Sequence, residues 1–327
     1  MRTVAIAGVG KTGRRHAYTY GKVQDCELIA VVDPNEKSRQ EIASMLHLKA
    51  YEDTESMLKE IQPDILDICT PTHTHAQIAL HAVQHSFTAV FIEAPFARTL
   101  SECNKIAVAF ADAKIPLYVG HPTRYFPSYA TAYAQVKNGA VGQTAVVRTS
   151  RSGPAPHSTD DWQRDYTLSG GVTLDLLTSE FDWLRWCFGE VESVFAKGLT
   201  AELVEGQPMK MDYTLVTLKF KSGALAHVEG SWADPSGYGM SFEIAGDKGL
   251  LEYNFNLPAS PVAEIRDESG KRVLLTDENV YAPMINDFLR SLDSGEPPCC
   301  TVSDAIEAIK ISEAAVESIG TGNPISL

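Results

Sequence analysis

The run Gly8-Val9-Gly10-Lys11-Thr12-Gly13 constrains this chain more than any other stretch. It follows Thr3-Val4-Ala5-Ile6-Ala7, an apolar strand, and leads into residues 14–23, read as a helix. A strand, a Gly-x-Gly-x-x-Gly turn and a helix form a phosphate cradle. The first glycine allows the tight turn, the second lets a pyrophosphate reach the backbone, and the third lets helix and strand close up. The helix N-terminus adds unsatisfied N–H groups and the positive end of a dipole. A second apolar strand, residues 28–32, ends at Asp33, 20 residues past Gly13. An acid at that spacing takes the ribose 2′-OH of a dinucleotide. Gly8, Gly10, Lys11, Thr12, Gly13 and Asp33 are therefore the expected dinucleotide contacts. Asp33 repels a 2′-phosphate and favours NAD over NADP, while Lys37 and Arg39 nearby leave NADP open.

The totals exclude several other classes. With 327 residues the chain has enough length for two domains with full cores. A net charge of −14 offers no basic excess for a nucleic-acid backbone, so no nucleic-acid partner is expected. The six cysteines, Cys26, Cys69, Cys103, Cys187, Cys299 and Cys300, show no Cys-x-x-Cys and no framework spacing, as expected in a reducing compartment. The N-terminus enters a strand at once and no apolar run has the roughly 20 residues needed to span a bilayer. The expectation is a cytoplasmic protein with no membrane partner.

Up to His121 the pattern alternates strand and helix. Strands are read at 64–69, 88–92 and 117–120, and helices at 36–46, 53–60, 76–85 and 101–113. That rhythm means crossover units and a parallel, doubly wound sheet, with ligands beyond the carboxyl ends of its strands. Asp33, Thr70, Glu93 and Gly120 all fall at such ends. Beyond a helix at 128–138, short strands separated by turns predict a largely antiparallel sheet: 145–149, 194–199, 213–220, 224–231, 240–245, 250–254, 263–266 and 273–275. One long helix, 172–188, interrupts them. Helices at 282–293 and 302–318 close the chain. The expected domains are a dinucleotide-binding domain over 1–121 and a substrate and oligomerisation domain over 122–327, with the last helices free to return to the first.

Several runs together resemble the Gfo/Idh/MocA oxidoreductases. They are the Gly8 to Gly13 loop, Asp33-Pro34-Asn35, Thr70-Pro71 with His75, Glu93 and Pro95, Arg124 before Tyr125-Phe126-Pro127, and Ser169-Gly170-Gly171-Val172-Thr173-Leu174-Asp175 continuing through Phe181-Asp182-Trp183-Leu184-Arg185-Trp186 to Gly189. The resemblance implies a Rossmann domain joined to an α/β domain with a large open, mostly antiparallel sheet. It implies hydride transfer between a nicotinamide and a sugar, cyclitol or other polyol, and a homodimer or homotetramer. It also brings Thr70, Pro71, His75 and Glu93 to the cofactor. Two departures stand out. Ala94 occupies the place of the family's lysine in Glu-Lys-Pro, and Ser179 the place of its histidine four residues after Asp175. Those two groups usually move the substrate proton, a contribution of about 10²–10⁴-fold in catalysis generally.

The remaining acid–base candidates are Asp175, Ser179 at i+4 on the expected helix face, Tyr166, and His121, whose imidazole titrates near neutrality. Arg124, Arg151 and Trp162 are candidates for the substrate, as forks onto oxygens or as a stacking face. His73 and His75 lack a third ligand with metal spacing, so no metal is expected. Each candidate also has a plainer reading: a helix pin for Asp175, a turn carboxylate for Glu93, a polar group wedged between domains for His121, and interdomain ion pairs or packing for the arginines and Trp162. Besides the oxidoreductase, two functions stay open: a non-catalytic NAD-binding sensor, favoured by Ala94 and Ser179, and an enzyme using NAD transiently for glycoside cleavage.

Overall fold

The computed structural model describes residues 1–153, 162–204, 207–232, 238–254, 262–266, 272–276 and 280–327. The chain begins with β1 (Arg2–Ala7), α1 (Lys11–Tyr20), β2 (Cys26–Val32), α2 (Glu36–Leu46), β3 (Lys49–Tyr51), α3 (Thr54–Leu58), β4 (Ile65–Ile68), α4 (Thr72–Ala82), β5 (Ala89–Glu93), α5 (Leu100–Ala113) and β6 (Leu117–Gly120). It continues with α6 (Pro127–Lys137), β7 (Thr144–Ser152), α7 (Tyr166–Ser169), α8 (Gly171–Asp175), α9 (Thr178–Phe188), β8 (Val191–Val204), β9 (Gln207–Phe220), β10 (Leu225–Ser231), β11 (Gly239–Gly246) and β12 (Leu250–Asn254). The last elements are β13 (Val262–Arg266), β14 (Arg272–Thr276), α10 (Tyr281–Ser294), α11 (Val302–Thr321) and β15 (Ile325–Ser326). Two compact units result. One comprises Met1–Pro122 with Asn279–Ile306, the other Thr123–Glu278 with Glu307–Leu327.

The first unit is a six-stranded sheet in the order β3-β2-β1-β4-β5-β6, parallel throughout. Its inner strands are buried on both faces, which is why β1, β4 and β5 read as nearly continuous apolar runs. Order reverses between β1 and β4, so the crevice of a doubly wound sheet opens there. Side-chain caps start α2, α3 and α5. Asn35 accepts from the Ser38 N–H, Asp53 from the Ser56 N–H, and Thr99 with Glu102 closes a capping box. Phe288 of α10 meets Tyr118 edge-on and Phe91 at a tilt.

The second unit carries a seven-stranded sheet, β12-β11-β7-β10-β9-β8-β15. It is antiparallel except for one parallel pair, β7 with β10. Alternation is clean: Thr214, Val216, Leu218 and Phe220 of β9 face inward, while Leu215 and Lys219 face out. The inner face packs on α6 and α9 through Tyr129, Phe181, Trp183 and Leu184, with Ile311, Ala314 and Ala315 of α11 joining the same core.

Several elements differ from the sequence-based expectation. α1 starts at Lys11 rather than at residue 14, and α4 at Thr72 rather than 76, so Lys11, Thr12, His73 and His75 all lie in helix rather than in the preceding turns. The single helix expected over 172–188 is broken between α8 and α9. The N–H groups of Leu176 and Leu177 both donate to the Val172 carbonyl, and those of Glu180 and Phe181 both donate to Leu177. The Thr178 hydroxyl donates to the Leu174 carbonyl at 2.6 Å, a side-chain donor at the break. Leu177 is fully buried, and a Cβ on Gly230 would stand 2.8 Å from it, so a side chain at 230 would contest its place. Asp175 therefore ends α8 and Ser179 lies in the first turn of α9, on either side of the break.

Candidate cofactor site

The three loop glycines have three separate requirements in this structure. Gly8 holds φ at +90°, and a Cβ there would lie 2.7 Å from the Cys69 and Thr70 backbone. At Gly13 a Cβ would fall 1.8 Å from the Gly8 carbonyl oxygen, so α1 and the loop meet at a distance only glycine permits. Gly10 differs from both: nothing stands within 4 Å of its missing Cβ, and the residue is exposed. Two glycines are needed by the protein, and the third keeps an open approach to the backbone. Gly10 also precedes α1 without a side-chain cap, and no acidic residue lies in that first turn. Uncapped N–H groups and an unneutralised dipole end suit an anion.

Asp33 stands at the end of β2 and is half-buried. One carboxylate oxygen accepts from the Val9 N–H at 2.8 Å, the other from the Asn35 N–H at 2.8 Å. The acid thus anchors the glycine loop and still has lone pairs for a ribose hydroxyl. Arg39 donates to the carbonyls of Asp33 and Pro34.

Thr70 and Pro71 form the turn after β4. His75 clamps that turn to the next one. One ring nitrogen lies 2.8 Å from the Thr70 carbonyl oxygen, and the other lies 3.0 Å from that of Pro95, which follows the cis Ala94–Pro95 bond. Burial pushes the imidazole below its ordinary pKa, although the carbonyls favour the cation. His75 fixes the crevice wall, with both nitrogens directed at protein carbonyls.

Glu93 ends β5 opposite Gly120 of β6. Its side chain is buried, and a Cβ on Gly120 would sit 2.6 Å from Oε2, so glycine there makes room for the carboxyl. His16 of α1 lies beneath, with Nε2 3.7 Å from Glu93 Oε2 and Nδ1 2.7 Å from Asp67 Oδ2. Burial pushes Glu93 up to about 8; His16 and the Ala94 N–H pull it down and Asp67 pushes it further up. His16 is itself raised, since Asp67 and Glu93 together outweigh the burial that opposes its charge. Sequence reading missed His16 and Asp67. A carboxylate inside the apolar strand Ile-Leu-Asp-Ile was the available signal, because a charge in a buried strand needs a partner. His121, directly after β6, is fully buried.

In the second unit the structure gathers part of the predicted set. Trp162 begins a 3-10 turn at Trp162–Arg164 that adjoins α7 and α8. Gln163 donates to Asp175 at 2.6 Å, and Tyr166 opens α7 behind its cap Asp165. Asp175, Tyr166, Trp162 and Ser179 are all partly exposed. The arginines are differently placed. Arg124 makes a bidentate pair with Asp182, Nε to Oδ2 at 2.7 Å and Nη2 to Oδ1 at 2.6 Å, both residues buried and the guanidinium 5.1 Å from the Trp186 ring centre. Arg151 donates to Glu180 and to the Thr123 hydroxyl. Both arginines pair with carboxylates of their own unit, where the plainer reading expected interdomain ion pairs.

Family models match both units. Residues 2–121 fit the oxidoreductase family with an NAD-binding Rossmann fold, and residues 129–252 fit the GFO/IDH/MocA C-terminal domain. The chain belongs to the Gfo/Idh/MocA oxidoreductase family. Among relatives, it is 29% identical to myo-inositol 2-dehydrogenase of Thermotoga maritima, over 99% of this chain and 98% of that one. It is 25% identical to the NAD(+)-dependent scyllo-inositol 2-dehydrogenase of Bacillus subtilis, over 99% and 95%. In fold it matches GenD2 of gentamicin A biosynthesis, solved in complex with NAD, with a TM-score of 0.87 and 23% identity over 100% of this chain and 96% of the other. The first unit is thus an NAD-binding Rossmann domain, and the glycine loop with Asp33 fits that cofactor. No helix among the described residues is long and apolar enough to cross a membrane.

Proposed function

We propose that this protein is an NAD-dependent dehydrogenase that moves a hydride between the nicotinamide and a CH–OH carbon of a cyclitol or sugar-like polyol. The observation that carries this reading is the open backbone at Gly10, beside an uncapped helix N-terminus and a half-buried Asp33. The inositol dehydrogenases among its relatives support the substrate class. Bound NAD supplies the hydride acceptor. The chain's part is to hold the pyrophosphate at residues 8–13, the adenosine ribose at Asp33, and the walls after β4 and β5 through His75.

Proton transfer is assigned away from position 94, because alanine has no titratable atom. Asp175, hydrogen-bonded to Gln163, with Tyr166 in the adjoining helix, is the proposed acid–base group on the substrate domain, and Trp162 the proposed stacking face. His121 at the end of β6 is proposed for the same task from the first domain. Ser179, in the first turn of α9, is proposed only as a relay hydroxyl. The sensor reading keeps one observation in its favour, the absence of a titratable side chain at Ala94.

The test follows nicotinamide absorbance while the purified protein with NAD meets cyclitols, sugars and sugar acids. A substrate-dependent rise is expected with an inositol or related polyol. NAD binding with no rise across the panel refutes the dehydrogenase on that substrate class and favours the sensor. Altered glycoside without net NADH points to transient use of the cofactor.

A further inference from the structure

Two buried polar atoms in the first unit have no hydrogen-bond partner and face each other: His16 Nε2 and Glu93 Oε2. Orphaned buried polar atoms are rare and call for an explanation. His16 is tied on its far side to Asp67, which also accepts from the Cys69 thiol at 3.3 Å. The result is a row of three ionisable groups, Asp67, His16 and Glu93, running beneath the loop that holds the cofactor. His16, Asp67 and Cys69 also stand close enough to hold a cation. Their mutual hydrogen bonds account for that proximity.

The position of Glu93 gives the row a purpose. Asp33, at the end of β2, would hold the adenosine ribose of a dinucleotide lying across the switch point between β1 and β4. The nicotinamide half would then lie toward the ends of β4 and β5. Glu93 ends β5, two strand spacings from β1, or roughly 10 Å. The oxidised nicotinamide ring is a cation and the reduced ring is neutral. We propose that Asp67, His16 and Glu93 form a proton store that discharges when the oxidised cofactor binds, so that NAD is taken up with release of one proton and NADH with none. The inference rests on the NAD-binding reading of this domain.

The balance is simple. Glu93 in its acid form loses a proton to solvent as NAD binds, and the resulting carboxylate faces the ring cation. When the ring is neutral, Glu93 regains a proton. An opposite charge within about 4–6 Å lowers a carboxyl pKa by about 1–3 units. Glu93 starts from about 8. The shift therefore carries it across neutrality, and NAD affinity rises by up to about tenfold per pH unit below pH 8, for a total of about 10- to 1,000-fold. NADH affinity stays level.

Other groups surround the row and must be accounted for. Tyr20 from α1 stands near Asp67, and Tyr281 from α10 packs its ring on His16 and takes a hydrogen bond from Arg15. Cys69 follows β4, and His121 follows Gly120 on β6. Burial raises the pKa of Tyr20, Cys69 and Tyr281 beyond the range in question. That leaves Glu93 and His16 as the groups of the row able to exchange a proton near neutrality.

Calorimetry in two buffers of different ionisation enthalpy counts the protons. The probes are NAD, NADH and ADP-ribose, which lacks the nicotinamide, at several pH values from about 5.5 to 9. Release near pH 7 is expected with NAD alone and is expected to vanish in Glu93→Gln. In His16→Gln the release moves to higher pH, because Glu93 loses its neighbouring cation. If Glu93→Gln does not fold, the infrared difference spectrum of wild type decides, through loss of a protonated-carboxyl band on adding NAD. NAD binding without proton release, equal release with ADP-ribose, or release that survives Glu93→Gln overturns the proposal. Failure of all three probes to bind overturns the cofactor reading itself.

Discussion

Replacing Gly10 and Gly13 by alanine, one at a time, separates what the loop does for the protein from what it does for the cofactor. A Cβ at position 13 would fall 1.8 Å from the Gly8 carbonyl oxygen and 3.2 Å from Cys69 Cβ. The first distance is more than about 1.5 Å short of an ordinary contact, and a backbone oxygen cannot swing aside. Overpacking of this kind costs about 1–3 kcal/mol, and the upper end is expected here. At position 10 nothing stands within 4 Å of the new methyl group, and φ is −67°. Gly10→Ala is therefore neutral in stability or better by about 0.4–1 kcal/mol, since alanine has less freedom to lose on folding. The methyl group occupies the path of the pyrophosphate. Loss of two N–H contacts to a charged group, about 1.5 kcal/mol each, weakens NAD binding by about 100-fold. Urea unfolding and fluorescence titration with NAD read the two effects. Gly10→Ala binding NAD as wild type does would refute the approach of the pyrophosphate to this backbone. Unchanged stability in Gly13→Ala would refute the close packing of α1 on the loop.

Three further outcomes follow from the packing. In the protein without cofactor, Glu93 sits near 8 against an ordinary 4.5. Between those values the folded chain holds a proton the unfolded chain has released, so stability falls with rising pH by up to about 1.4 kcal/mol per unit and levels above 8; Glu93→Gln removes that slope in urea titrations, and an unchanged slope assigns it elsewhere. Arg124→Ala strands the buried Asp182 and costs about 3–5 kcal/mol, while Arg124→Met with Asp182→Leu recovers much of the loss; a double variant as unstable as the single one contradicts this account. Leu199, Leu215 and Leu225 are exposed on the outer face of the second sheet, and Leu215→Lys is expected to lower the native mass in light scattering if that face joins subunits; an unchanged oligomer places the interface elsewhere.

The parts of this molecule legible in its sequence are those whose chemistry is local. The glycine loop, Asp33 and the alternation of β9 each depend on neighbours within a few residues or on a fixed period. The break in the helix between Asp175 and Ser179 is not legible from the local pattern. Leu177 at that break is buried against Gly230 of β10, far along the chain. The arginines are similar. The partner of Arg124 lies 58 residues away and that of Arg151 lies 29 away, so their charges read as available when they are engaged. His16 and Asp67, 51 residues apart, escaped notice for the same reason. The parallel pairing of β7 with β10 inside a mainly antiparallel sheet is likewise a matter of long-range topology.

The double engagement of Asp33 bears on any attempt to redesign coenzyme preference. Removing the acid so that a 2′-phosphate is tolerated also removes the acceptor for the Val9 N–H, and the glycine loop loosens as the new ligand arrives. Selection for NADP would then be traded against loss of the pyrophosphate cradle, and a simple alanine library would return weak binders of both coenzymes. A productive redesign keeps an oxygen acceptor at position 33, as asparagine does, and places its new positive charge at a separate position. Arg39, already hydrogen-bonded to the carbonyls of Asp33 and Pro34, is a ready neighbour for that charge.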